Sequence, residues 1–191
     1  MSNAAVRFID RHVEASLGGK RAFEFNGKPY SYHDLAALAN RAGNMLKALG
    51  VGPGARVAML LPESPAWFGT LIGAMKIGAV PVVVADANGF AEAARTARVC
   101  VIHARFLPVN EVAKDKTVVV GEAPQGHPSF VDLMRAQASS LAAQDVAPEA
   151  PALVVEGRSF THRDVEGDAS KLGRVGELLH ALEGAQTAQL T

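Results

Sequence analysis

The sequence predicts an α/β fold: a parallel sheet with a mixed edge, flanked by helices and completed by a C-terminal amphipathic helix. Three observations predict it. Short apolar runs alternate with segments of helical period from about residue 55 to 121, the pattern of βαβ units. Capping residues stand at the head of the helical segments, and glycines follow their ends. A chain of 191 residues with 49% hydrophobic and 20% charged content is long and apolar enough to bury one sizeable core.

The elements run in order from the N-terminus. "RAFEFNGKPYSY" places Asn26-Gly27 between two short apolar runs, which predicts a β-hairpin. Ser31 and Asp34 are spaced as a capping box, and Leu35, Leu38, Ala39, Ala42, Met45, Leu46 and Leu49 then recur at steps of three and four until Gly50. "RVAMLLP" reads as a buried strand. Ser64-Pro65 opens a second helix with Trp67, Phe68, Leu71, Ile72 and Met75 on its apolar face. "VPVVV", "VCVIH" and "KTVVVG" continue the sheet, with a helix over "FAEAARTAR" before the second of them. "SFVDLMRAQ" is a short helix and "SSLAAQDVAPEAP" a connector. "PALVV" is a further strand, and only "EGRS" separates it from the next helix start. There Thr161 and Asp164 repeat the capping box, and Val165, Ala169, Leu172, Val175, Leu179 and Leu182 continue at helical spacing. This predicts one long tail helix. "NGKPYSYHDL" and "EGRSFTHRDV" share a Gly, a basic residue, an aromatic, a hydroxyl and an Asp in order, but two occurrences do not make a repeat architecture. The division expected is an α/β unit over 1–155 and a helical tail over 156–191.

Composition excludes several function classes. Lys plus Arg equals Asp plus Glu at 19 each, so no basic field points to nucleic acid. No apolar run approaches the 18 or more residues of a membrane span. The lone Cys100 forms no internal disulfide, and the N-terminus lacks the layout of a signal peptide, so a cytoplasmic location is expected.

The search for chemistry finds no catalytic, cofactor-binding or metal-ligating constellation. The six histidines show no zinc spacing. His162 and His180 on one helix would stand ~27 Å apart and are expected to be solvated. Cys100 sits in an apolar run and reads as core. "GVGPGARV" follows a helix and opens a strand, the reverse of a phosphate cradle, so it is a connecting turn. Trp67 and Phe68 could stack on a ligand, although core packing is the simpler reading. Arg158, Arg163 and Lys171 read as the wet face of the tail.

Three stretches together resemble the AMP-forming acyl- and aryl-CoA ligases, the adenylate-forming superfamily: "YSYHDLAALANRAGNMLKALGVGPGARVAML", "PAWFGTLIGAMKIGAVPVVV" and "KTVVVGEAPQGHPSFVDLM". The first matches that family's aromatic-hydroxyl-Tyr-x-acid-Leu helix start. The second matches its Lys-x-Gly-Ala-x-Pro-Val element, and the third looks most like the benzoate-CoA ligase branch. The resemblance runs from about residue 7 to 155 and implies the N-terminal subdomain of the ligase fold.

The family uses ATP, Mg and CoA, and its strand corresponding to "PALVV" leads into a Ser/Thr/Gly-rich phosphate loop ending in Lys-Gly, followed by a Thr-His-Arg-like helix start. Here "THRDVE" is present and "EGRS" stands in place of the loop. The resemblance therefore implies a shortened relative that does not adenylate alone, expects no cofactor of its own, and acts through binding or assembly. The alternative is a fragment of an aryl-CoA ligase that is active when the missing segments are supplied. The expected partner is a second copy, forming a homodimer, or a full-length ligase or second fragment. The tail stripe Val165, Leu172, Val175, Leu179 and Leu182 is the candidate interface.

Overall fold

Asn26-Gly27 turns the chain between β1 (Arg21–Phe25) and β2 (Lys28–Ser31), an antiparallel pair with both turn residues in the left-handed region. Before the hairpin stand two short helices, α1 (Ala4–Phe8) and α2 (Asp10–Glu14). In this computed structural model residues 3–108 and 113–190 are described. Ser31 caps α3 (Tyr32–Ala48) by the predicted capping box.

The six-stranded sheet has the order β6-β5-β3-β4-β7-β8. Its strands are β3 (Arg56–Leu60), β4 (Val80–Val83), β5 (Val99–His103), β6 (Thr117–Val120), β7 (Pro151–Val155) and β8 (Arg158–Thr161). Strands β3 to β7 are parallel, and β8 is the antiparallel edge, as the mixed-edge reading expects. Alternation places Val57 and Met59 in one core and Ala58 and Leu60 in the other, so the sheet is buried on both faces. α5 (Ala87–Thr96) covers the second face through Phe90 and Ala93.

α4 (Pro65–Lys76) is buried from Trp67 to Lys76 because its sequence is apolar nearly all round. It packs closely on α3: a Cβ added at Gly73 would lie 2.5 Å from the carbonyl oxygen of Ala39, so a larger residue there would force the helices apart. Lys76 is 2% exposed and its ammonium donates to Asp10 at 2.9 Å and Asn40 at 2.7 Å, which satisfies the buried charge. α6 (Phe130–Arg135) lies beside α3, and an irregular connector then crosses from β6 to β7. Asn40 and Asn44 hold that connector by donating to the carbonyls of Ser139, Ala138 and Ser140, and Asn3 donates to that of Gln144.

Three sequence expectations need correction here. The "EGRS" interval is not a gap between strand and helix: Glu156-Gly157 is a two-residue turn, and Arg158 already begins β8. The expected division at 155/156 therefore falls inside a hairpin whose two strands share one sheet. The tail is not one long helix. It runs as α7 (His162–Gly167), a 3₁₀ turn (Ala169–Leu172) and α8 (Arg174–Glu183), with a break at Asp168 and another at Gly173. His162 is not solvated but fully buried, because α1 covers it and the backbone N–H of Ala4 donates to its Nδ1 at 3.1 Å.

Candidate functional site

Ligands of open α/β sheets bind beyond the carboxyl ends of the strands. In this chain the carboxyl ends of β3, β4 and β7 face a cleft of about 510 Å³, closed on its far side by the 3₁₀ turn and the start of α8. Local sequence dictates the elements that build it. β3 runs out through Leu61 to Glu63, and Ser64 then caps α4 by accepting from the N–H of Trp67 at 3.2 Å, which fixes the indole at the cleft wall. β7 turns at Glu156-Gly157, with φ of 48° and 76°, and β8 brings Arg158 and Phe160 to the rim.

Arg174 is the electrostatic centre of this wall. Its Nε and Nη2 donate to the two carboxylate oxygens of Glu63 at 2.8 and 2.9 Å, a bidentate fork, and its Nη1 donates to Glu177 at 3.0 Å. A further bond goes to the carbonyl of Gln189. The Glu63 hydrogen bonds, followed by those of Glu177, stabilise the guanidinium and raise its pKa further. Arg158 lies over the ring of Phe160, 5.5 Å from its centroid, and Lys171 stands 3.9 Å from Asp168. The cleft thus joins an apolar wall of Trp67, Phe160 and Leu172 to a rim of mixed charge.

Among the described residues no cysteine or serine lines this cleft. Cys100 is buried in the middle of the sheet, and burial pushes its thiol up to about 11, so it is inert core as the sequence predicts. Trp67 and Phe68 are core residues, 4% and 0% exposed, in edge-to-face contact at 5.1 Å. Among the described residues no group of three His, Cys, Asp or Glu could hold a metal ion, and no helix is long and apolar enough to cross a membrane.

The candidate interface stripe packs in the core of the single chain. Val165, Leu172, Val175, Leu179 and Leu182 are all at most 5% exposed and belong to the main core with Phe8, Tyr32 and Leu153. The chain covers its own stripe, so these five side chains form no free surface, and the side chain of Ala169 lies outside those described. The Glu63–Arg174 fork is the feature the sequence reading missed. Glu63 and Arg174 stand 111 residues apart, and no local pattern couples them.

The phosphate loop that the sequence resemblance implies after β7 is here a tight turn, and the chain beyond it forms a second edition of the N-terminal hairpin. β7 pairs with β8 in the register that β1 keeps with β2, with an irregularity at the same step, and each second strand runs into a capping-box helix.

Comparison with known proteins bears on this arrangement. Residues 9–146 match the AMP-binding enzyme family. The chain is 32% identical over 173 residues to a 3-hydroxybenzoate–CoA ligase of Aromatoleum sp. (strain CIB), a match covering 84% of this chain and 33% of that enzyme. It is 36% identical over 133 residues to a 4-hydroxybenzoate–CoA/benzoate–CoA ligase of Rhodopseudomonas palustris, covering 64% and 25%. In fold it is similar to the anthranilate CoA ligase AuaEII in complex with anthranoyl-AMP, with a TM-score of 0.83 at 22% identity over 99% of this chain and 45% of that one. A benzoate CoA ligase from Burkholderia xenovorans LB400 superposes with a TM-score of 0.82 at 19% identity, over 100% and 45%. The chain therefore spans about a third of the length of the first of these relatives. With the matched region, the α/β topology and the identities in agreement, the chain belongs to the AMP-binding enzyme family.

Proposed function

We propose that this chain is an N-terminal portion of an AMP-forming aryl- or acyl-CoA ligase that does not form acyl-adenylate by itself and acts by binding or assembling with a complete ligase or with a second fragment. The observation that carries this reading is the Glu156-Gly157 turn. Holding the phosphates of ATP requires several backbone N–H groups converging on one point, with hydroxyls and a cation beside them. A two-residue hairpin turn directs its neighbours into the β7–β8 ladder instead, where Val155 faces Arg158. The charge at the mouth is also committed, since Arg174 is already engaged by Glu63 and Glu177.

Pyrophosphate exchange with ATP, Mg and benzoate or hydroxybenzoates tests it. The chain alone is expected to stay at background, and exchange above background would overturn the proposal. A second reading is favoured by the superposition of nearly the whole chain on ligase structures: the chain is a ligase fragment that gains activity when complemented. It predicts exchange on adding the remaining portion of an aryl-CoA ligase as a separate polypeptide, whereas assembly without catalysis predicts a complex and no exchange.

A further inference from the structure

Helices α1 and α2 form a strap across the helical side of the chain. α1 packs against α4, α7 and α8, and α2 packs against α3. Phe8 and Ile9 are fully buried beneath the strap. Polar contacts tie it down around them. Asn3 donates to the carbonyls of Met75 and Gln144 at 2.9 Å, Arg7 bonds the carboxylate of Glu183 and the carbonyl of Glu166, and Arg11 donates to the carbonyl of Glu183 at 2.8 Å.

An imidazole sits at each end of the strap. At its start the Nδ1 of His162 accepts from the N–H of Ala4 at 3.1 Å, so the ring's own proton is on Nε2. At its other end His12 of α2 is buried, with its ring 4.8 Å from that of Tyr32, whose hydroxyl donates to the carbonyl of Leu182 at 2.8 Å. Both Nε2 atoms are buried, and neither has a partner among the described residues. The neutral rings fit these places and the charged rings do not. A second proton on His162 would set one N–H against another at Ala4, and either cation would be buried without an acceptor of its own.

The surrounding charges do not offset this cost. Burial lowers the pKa of His12 below 6.5 and Arg11 lowers it further, whereas the carbonyls of Leu182 and Glu183 and the Glu183 carboxylate act the other way and are outweighed. That carboxylate is shared with Arg7, and Asp10 of the same helix is paired with Lys76. For His162 burial is the sole cause of the lowering. Among charged residues on the elements packed against it, Arg7 is held by Glu183 and Glu166, Arg163 by Glu149 and Asp164 by Thr161, while Arg158 and Lys171 line the carboxyl-end cleft. The arginine ties of the strap keep their charge at all these pH values, so the imidazoles are the groups that respond between pH 7 and pH 5.

We propose that α1 and α2 are a latch that opens when His12 and His162 take up protons, uncovering the faces of α4, α7 and α8 beneath it while the sheet stays folded. In the open state both rings regain water and their ordinary proton affinity, so each favours opening by up to ~25-fold between pH 7 and pH 5. Native-state hydrogen exchange of the full chain in low urea, corrected for intrinsic rates, tests this. The amides of Val6 and Val13, which bond within the strap, are compared with those of β5. The strap amides are expected to exchange through an opening that is more frequent than that of β5 and nearly independent of urea, the mark of a local event. Its equilibrium constant should rise at least tenfold from pH 7 to pH 5. His162→Asn, which keeps an acceptor for Ala4, and His12→Phe, which keeps the ring contact with Tyr32, should each remove part of the rise, and together most of it. Strap amides that share the protection and urea dependence of β5 at both pH values would overturn the proposal, because the strap would then leave only with the whole fold. So would an opening constant unchanged between pH 7 and pH 5, or a rise kept in the double variant. Should circular dichroism show the double variant unfolded, His162→Asn alone decides: a smaller rise supports the latch and an undiminished one overturns it.

Discussion

Glu156 and Asn26 occupy the same position in two versions of one backbone unit, each a non-glycine residue in the left-handed region, at φ 48° and 50°, followed by a glycine at 76° and 74°. Asn tolerates this conformation because its short side chain can bond locally, and Glu does not. Glu156 is exposed, so its side chain gains little from burial in return. Glu156→Asn is therefore expected to stabilise the chain by about 1 kcal/mol, read as a higher urea midpoint with unchanged slope. A midpoint at or below that of the parent would contradict the assignment.

The two units also share their caps. Ser31 and Thr161 each donate N–H and hydroxyl to the carboxylate of Asp34 and Asp164, at 2.9 and 2.7 Å in both. These bonds hold both carboxyls below their ordinary value. A depressed folded pKa contributes stability that is present above the unfolded value of 3.8 and is lost as pH falls through the folded one. Both carboxylates are exposed, so solvent keeps the effect small. Ser31→Ala is expected to lose about 1 kcal/mol at neutral pH and to show a shallower loss of stability below pH 4 than the parent. Equal slopes in urea titrations across that range would refute the link.

His162 works in the same direction at a higher pH. Burial lowers its pKa from 6.5, and protonation of Nδ1 would remove the acceptor for Ala4. The folded state then binds fewer protons than the unfolded one below pH 6.5, so stability falls as pH drops from 6.5 towards the lowered value. His162→Asn, which can keep an acceptor near Ala4, is expected to flatten that decline. A pH profile unchanged by the substitution would place the decline elsewhere.

Leu179 is fully buried in the chain's own core. Leu179→Ala is expected to cost about 2–5 kcal/mol and to leave the mass in light scattering unchanged, whatever the association state of the parent. A variant that keeps its unfolding midpoint but halves its mass would return the stripe to the interface between copies.

Features coded by neighbours in sequence were legible. The Ser31–Asp34 and Thr161–Asp164 boxes, the Asn26-Gly27 hairpin and the alternation of Val57 and Met59 with Ala58 and Leu60 need only a few residues of context, and the parallel order follows from βαβ alternation. Pairings across the fold were not legible. β8 is four residues long and merges into a capping signal, so its strand character emerges only where it meets β7. His162 looks solvent-facing on its own helix and is buried by α1 from the other end of the chain. The stripe of α8 reads as apolar whatever covers it, and its docking against Phe8 and Tyr32 joins residues from opposite ends of the chain. The carboxyl-end cleft depends on the Glu63–Arg174 fork, which no local pattern announces.

The sheet order carries a kinetic consequence. β3 to β6 assemble through crossovers between near neighbours in the chain, but β7 must leave the β6 edge, travel the length of the connector and settle beyond β4. Loop closure of that kind delays a contact until the scaffold it joins is in place. β7 should therefore dock after the rate-limiting barrier. Val154→Ala, in the β4–β7 ladder, is expected to accelerate unfolding and leave the refolding rate near that of the parent; a matching fall in the refolding limb of the chevron would mean that the last strand in the crossing is among the first to commit.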